Sequence, residues 1–181
     1  MKNLSIIAAA ALLSTTAVAD TNIQEVLVSA SLIPIAANRS ANAITVIDGT
    51  QLKNRAALSV SDLLRDVPGL AVSRSGVQGS ATQIRARGAE ANHLLVLIDG
   101  VEANDPSQSD EVNWGTLSAD DIERIEVIRG PQSSMRGSDA MAGVVNIVTR
   151  SAGQPFSARA FTEAGSFSTQ RSGFSLGHKQ G

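Results

Sequence analysis

The residues best suited to chemistry are four carboxylates, Glu102, Asp105, Asp110 and Glu111, which crowd a single polar loop between residues 102 and 111. Oxygen-rich loops suit hard cations, and calcium is the ion such a loop would take. The spacing is not that of an EF-hand, and most acidic loops are merely solvated, which is the more ordinary account of the same residues. The two histidines, His93 and His178, have no second ligand at helical spacing. His93, next to an apolar run, suits a turn whose backbone is satisfied better than it suits a metal. Cysteine is absent, which excludes disulfides, thiolate catalysis and cysteine-ligated metal. Asp120 and Asp121 are adjacent at a strand entrance, so their side chains diverge, and a capping role suits them better than paired acid–base work. No Ser-x-x-Lys, Gly-x-Ser-x-Gly, His-Glu-x-x-His or phosphate-loop pattern occurs, so the sequence does not predict an enzyme. A formal net charge of −2 over 181 residues argues against a nucleic-acid partner.

Arginines and glycines recur together instead. Arg87-Gly88, Asp99-Gly100, Arg129-Gly130-Pro131 and Arg136-Gly137-Ser138-Asp139 each place a charged side chain beside a residue free to take positive φ. Arginines repeatedly set at segment ends call for carboxylate or carbonyl partners. Glu123, Glu126 and Asp139 are nearby acids, and a partner outside the segment could supply the remainder.

The elements that must position these groups alternate over short lengths. Residues 43–47 (AITVI) read as a strand, Asp48-Gly49 as a turn, and residues 50–54 as a helical turn. Ser59 with Asp62 predicts an N-cap and shortened capping box for a helix that must stop at Pro68-Gly69. Strands are expected at 70–73 and 83–87, separated by a mobile stretch at 75–80. The most apolar run, 94–98 (LLVLI), is expected at the sheet centre. Further strands follow at 122–128 and 144–148.

Both ends differ from this middle. Lys2, the apolar run 4–13 (LSIIAAAALL) and Ala17-Val18-Ala19 form a signal peptide over 1–19, too short to span a bilayer, with Asp20 as the mature N-terminus. A lead-in over 20–40 contains the β-prone island Glu25, Val26, Leu27, Val28, Ser29 and Ala30, which lacks an evident partner. It is either the first strand of the domain or a peptide for a strand-adding partner. Residues 156–164, and again 174–177, alternate with period two at the length of a membrane barrel strand. A soluble amphipathic hairpin has the same pattern.

Five blocks carry a specific resemblance: 60–70 (VSDLLRDVPGL), 84–88 (IRARG), 96–101 (VLIDGV), 122–131 (IERIEVIRGP) and 137–149 (GSDAMAGVVNIVT). In this order they resemble the plug of TonB-dependent outer-membrane receptors. Residues 92–100 (NHLLVLIDG) and 137–140 (GSDA) are most similar to the cobalamin (vitamin B12) branch, while Arg136 stands where that branch usually has tyrosine.

The resemblance implies an α+β fold, a small mixed-sheet plug with short helices over 41–150. The first one or two strands of an antiparallel transmembrane β-barrel would follow from 151 to 181. It implies a Ton box at residues 25–30 that binds the TonB energy-coupling protein, and plug–barrel contacts from Arg87 and Arg129 to wall glutamates. It implies substrate-gated uptake of cobalamin or another chelate, with calcium at the acidic loop the one cofactor to consider. Such a barrel has about 22 strands, so this chain is expected to be the N-terminal part of a longer receptor at the cell outer membrane. The alternative is a truncated or barrel-less exported plug-like binding module with no transport activity, periplasmic if it exists alone.

Overall fold

The computed structural model describes residues 43–55, 57–151, 156–166 and 168–178, with the backbone of Leu27–Val28 and Ile35–Ala36. The signal peptide, Pro34 and the island residues Glu25, Val26, Ser29 and Ala30 lie outside the described residues. Within the island, β1 (Leu27–Val28) does have a partner. It pairs antiparallel with β2 (Ile35–Ala36), Leu27 opposite Ala36 and Val28 opposite Ile35, and this pair is separate from the main sheet.

That main sheet has five strands. In spatial order they are β3 (Ala43–Ile47), β8 (Ile122–Arg129), β9 (Gly143–Thr149), β6 (Leu94–Ile98) and β7 (Val101–Glu102). β3–β8, β8–β9 and β6–β7 are antiparallel, and β6–β9 is parallel, so the sheet is mixed. The most apolar strand is therefore not central. β9 holds the middle, and β6 lies one place from the edge, with only the two-residue β7 beyond it. Composition misleads here because both faces of β6 are covered, which requires apolar residues at every position whatever the strand order.

Alternation divides the sheet's side chains into two clusters. Leu94, Val96, Ile125, Val127, Val145 and Ile147 face a larger core shared with Val60, Leu63, Leu64, Ile84 and Trp114. Leu95, Leu97, Ile128 and Val144 face a smaller one closed by Ala140.

The larger face is covered by α1 (Gly49–Arg55), α2 (Val60–Leu64) and the hairpin β4 (Leu70–Arg74)–β5 (Thr82–Ala86). Asp48 begins α1 rather than ending a turn, because its Oδ1 accepts from the amides of Thr50 (2.8 Å) and Gln51 (2.9 Å). The expected capping box before α2 does not form. Ser59 makes no side-chain cap bond; its hydroxyl donates to Asp62 Oδ2 at 2.7 Å, and both are claimed by Arg74. α2 also ends at Leu64, earlier than the Pro68-Gly69 stop, and successive turns carry the chain to Gly69 at φ +84°. Residues 75–80 form a closed loop, with Ser75 N donating to Ala81 O (3.0 Å) and Ser80 Oγ to Val77 O (2.6 Å).

Past Arg150, β10 (Phe156–Ala164) and β11 (Gln170–His178) pair antiparallel over their full length. Their even-numbered side chains face away from the domain, leaving Phe156, Phe174 and Leu176 exposed at 66%, 80% and 67%. The odd-numbered face, with Phe161 and Arg171, is half-covered.

Candidate functional site

Arg129 closes β8, and its side chain turns back onto the domain. Nη1 donates to Pro68 O at 2.6 Å, Nη2 to Thr45 Oγ1 at 2.9 Å and Nε to Ala43 O at 3.3 Å. One guanidinium thus joins β3, β8 and the turn after α2. Arg87 lies beside it: a Cβ built on Gly69 would meet Arg129 Cδ at 3.7 Å and Arg87 Cγ at 3.8 Å. Arg87 is itself in the left-handed region (φ 52°), is exposed, and makes no ion pair among the described residues. The structure therefore brings the two resemblance-derived arginines together at one end of the sheet, one tied down and one presented outward.

At the acidic loop the carboxylates separate. Asp105 caps the short 3-10 helix Pro106–Gln108, accepting from Ser107 N (2.9 Å), Ser107 Oγ (2.7 Å) and Gln108 Nε2 (2.9 Å). The Ser107 side-chain bond, then those of Gln108 and the Ser107 amide, hold its pKa below the usual carboxylate value. Glu111 accepts from Gln83 Nε2 at 2.9 Å. Glu102 is pushed the other way, by desolvation first and then by Asp139, with Asp110 adding to the effect. Among the described residues no three His, Asp or Glu side chains are grouped as metal ligands. Protein bonds order the loop, and Asn104 is their centre. Its Oδ1 accepts from Val96 N (2.8 Å), and its Nδ2 donates to Asp110 O (2.7 Å) and Leu94 O (3.2 Å). Asn104 thus takes the place of strand neighbour beyond the short β7.

Three groups that the sequence singles out take roles its spacing does not specify. Glu126 is fully buried on β8, bonded to Arg124 Nε (2.8 Å) and Asn146 Nδ2 (3.2 Å). In sequence it is one charged position of an alternating strand, which ordinarily faces solvent. Asp99 sits at φ 52° ahead of Gly100 and binds the end of β9 through Thr149 N (2.8 Å) and Thr149 Oγ1 (2.5 Å). Asp120, expected to cap, instead accepts from Ser118 Oγ (2.9 Å) and pairs with Arg171 of β11 (3.0 Å). Its signal was present only as a charged residue in a turn.

A mixed sheet with arginines at its strand ends is what the resemblance carried by the five sequence blocks implies. The family model for the TonB-dependent receptor plug domain matches residues 36–144, more than half of the chain. The chain belongs to this plug family. The vitamin B12 transporter of Vibrio vulnificus is 40% identical over 107 residues, covering 59% of this chain and 17% of that protein. Among solved structures, the ferric enterobactin receptor of Pseudomonas aeruginosa is similar at TM-score 0.58 and 25% identity, over 78% of this chain and 23% of that one. The ferric yersiniabactin uptake receptor of Yersinia pestis is similar at TM-score 0.56 and 28% identity, over 75% and 21%. The plug chain therefore spans less than a quarter of the length of each of these three relatives. The mixed sheet with few short helices is the plug fold of these receptors.

Proposed function

We propose that the plug belongs to an outer-membrane receptor that takes up a scarce substrate by TonB-coupled transport, and that the substrate is a cobalamin. The 40% identity to a vitamin B12 transporter carries this reading. A ferric siderophore is the second reading, supported by the similarity to receptors for enterobactin and yersiniabactin. No bond-making step is involved. Substrate bound on the outer side would be signalled through the plug to residues 25–30, which TonB would engage as an added strand. Arg87, presented outward, would meet acidic residues of the barrel wall, and Arg129 would meet them with the guanidinium donors its plug bonds leave over. β10–β11 would be the first two wall strands, since their exposed apolar face suits lipid. Calcium, if used, would involve Glu102 and Asp110 rather than Asp105, whose oxygens are already engaged.

The test is uptake by cells that carry the complete receptor in place of their own cobalamin and siderophore receptors. Labelled cyanocobalamin should accumulate only when TonB is present, with a chelator series reading any calcium requirement. Uptake of ferric siderophore alone would select the second ligand. Uptake of neither, with receptor present in the outer membrane, would reject the transport role.

A further inference from the structure

We infer that Arg171 is a clasp that fixes the stance of the β10–β11 hairpin on the plug. Three contacts converge on its guanidinium. Nη1 lies 3.0 Å from Asp120 Oδ1 on the plug, and Nη2 lies 2.7 Å from Glu163 Oε2 on β10, with Nε at 3.1 Å from the same oxygen. Its third contact is the Phe161 ring, whose centroid is 5.3 Å away, with Arg159 at 5.9 Å from the same ring. Arg171–Asp120 is the ion pair that joins hairpin to plug among the described residues, the others lying within one or the other.

Register determines that these groups meet. Glu163 is directly opposite Arg171, and Phe161 is opposite Gly173, all on the odd-numbered face turned toward the plug. Gly173 is needed there, because a Cβ would come within 2.6 Å of Phe161 Cε1. With no side chain at 173, the ring lies across β11 and packs against the arginine. A slip of one residue in pairing would send Arg171 to the apolar face, so the clasp selects the register as well as the stance. The plug side is equally prepared. Ser118 Oγ holds Asp120 at 2.9 Å, and the Ser118 backbone bridges to Ser59 at the head of α2. Arg171, Asp120 and Glu163 retain 23%, 34% and 46% side-chain exposure, so the pair is screened by water and salt. It is a releasable contact. The clasp rests on this chain's geometry and is independent of which substrate is carried.

The test uses the whole chain in detergent micelles, read by amide exchange. β10 and β11 should be protected at low salt, and that protection should fall as salt rises. Asp120→Asn and Arg171→Gln should each speed exchange in both strands about two- to fivefold while leaving β6 and β9 unchanged. The double variant should be no faster than Arg171→Gln alone, which also removes the Glu163 and Phe161 contacts, and Arg171→Gln should lose the salt dependence that Asp120→Asn loses in part. Gly173→Ala, which displaces Phe161, should loosen the same strands by a separate route. Additive effects of the two charge variants, protection in Asp120→Asn equal to the parent, or a parent hairpin exchanging at the unstructured rate would overturn the clasp.

Discussion

At the residue scale the two arginines of the resemblance have different surroundings, which predicts different costs. Arg129→Ala removes an exposed bond to the Pro68 carbonyl and part-buried bonds to the Thr45 hydroxyl and the Ala43 carbonyl. We expect it to lower the stability of the isolated plug by about 1–3 kcal/mol in chemical denaturation. Arg87→Ala should cost less than about 0.5 kcal/mol in the same assay, since its side chain is exposed without an ion partner among the described residues. If Arg87 does meet wall carboxylates, its loss becomes larger in the complete receptor; equal small losses in both settings would remove it from the wall contact.

Asp62 predicts an acid dependence. Burial works to raise its pKa, but bonds from Ser59 and Arg74 and the charge of Arg74 outweigh this, so the net shift is downward from 3.8. A depressed carboxylate stabilises the fold above its unfolded value and loses that contribution as pH falls through the folded one. Thermal melts should therefore show Arg74→Ala and Asp62→Asn flattening the drop in stability below about pH 4. Unchanged acid sensitivity in both variants would reject the cluster as its source.

At the element scale, close backbone approaches decide which positions tolerate a side chain. Gly143 begins β9, and a Cβ there would meet Ile128 O at 2.5 Å; at Gly115 it would meet the Ser80 carbonyl of the 75–80 loop. Since backbone must move in both cases, Gly143→Ala and Gly115→Ala should each cost about 1–3 kcal/mol, read as a lowered denaturation midpoint. Gly88, with nothing within 4 Å but φ +79°, provides the contrast: strain alone should give a smaller loss, about 1 kcal/mol. The acidic loop is likewise an element held by its own bonds. Asn104→Ala should loosen residues 104–111 in amide exchange more than chelation does, because Asn104 bonds three backbone groups there and in β6. Chelator matching that effect would instead make the loop a cation site.

At the scale of the whole molecule, among the described residues β1 pairs with β2 and stands apart from the five-stranded sheet. Val28→Pro removes a donor and fixes φ in that segment. In the complete receptor it should abolish energy-dependent uptake while ligand binding and melting temperature stay at the parent values. Lost stability would make the segment part of the plug core, and normal uptake would remove it from the TonB contact. The C-terminal hairpin makes the opposite prediction. Two strands with a bare apolar face are marginal in water, so residues 156–178 should exchange freely there while β6 stays protected.

The five-block pattern, the glycine turns and the strand periodicities are local properties, set by spacing and by each residue's allowed φ/ψ, and they were enough to specify the plug family and most strand positions. AITVI, IERIEVIR and VVNIV became strands of the sheet as their alternation demands. Strand order was not legible, because LLVLI is apolar on both faces whether it lies second or third in a sheet. Nor were the charges that matter most. Glu126 is buried where β9 covers it and Asn146 bonds it, Asp120 matters because β11 returns Arg171 to it, and Ser59 with Asp62 became an arginine site once β4 delivered Arg74. Side-chain pairing between residues far apart in the chain depends on where the backbone carries them, and that is decided by packing the sheet, helices and hairpins together.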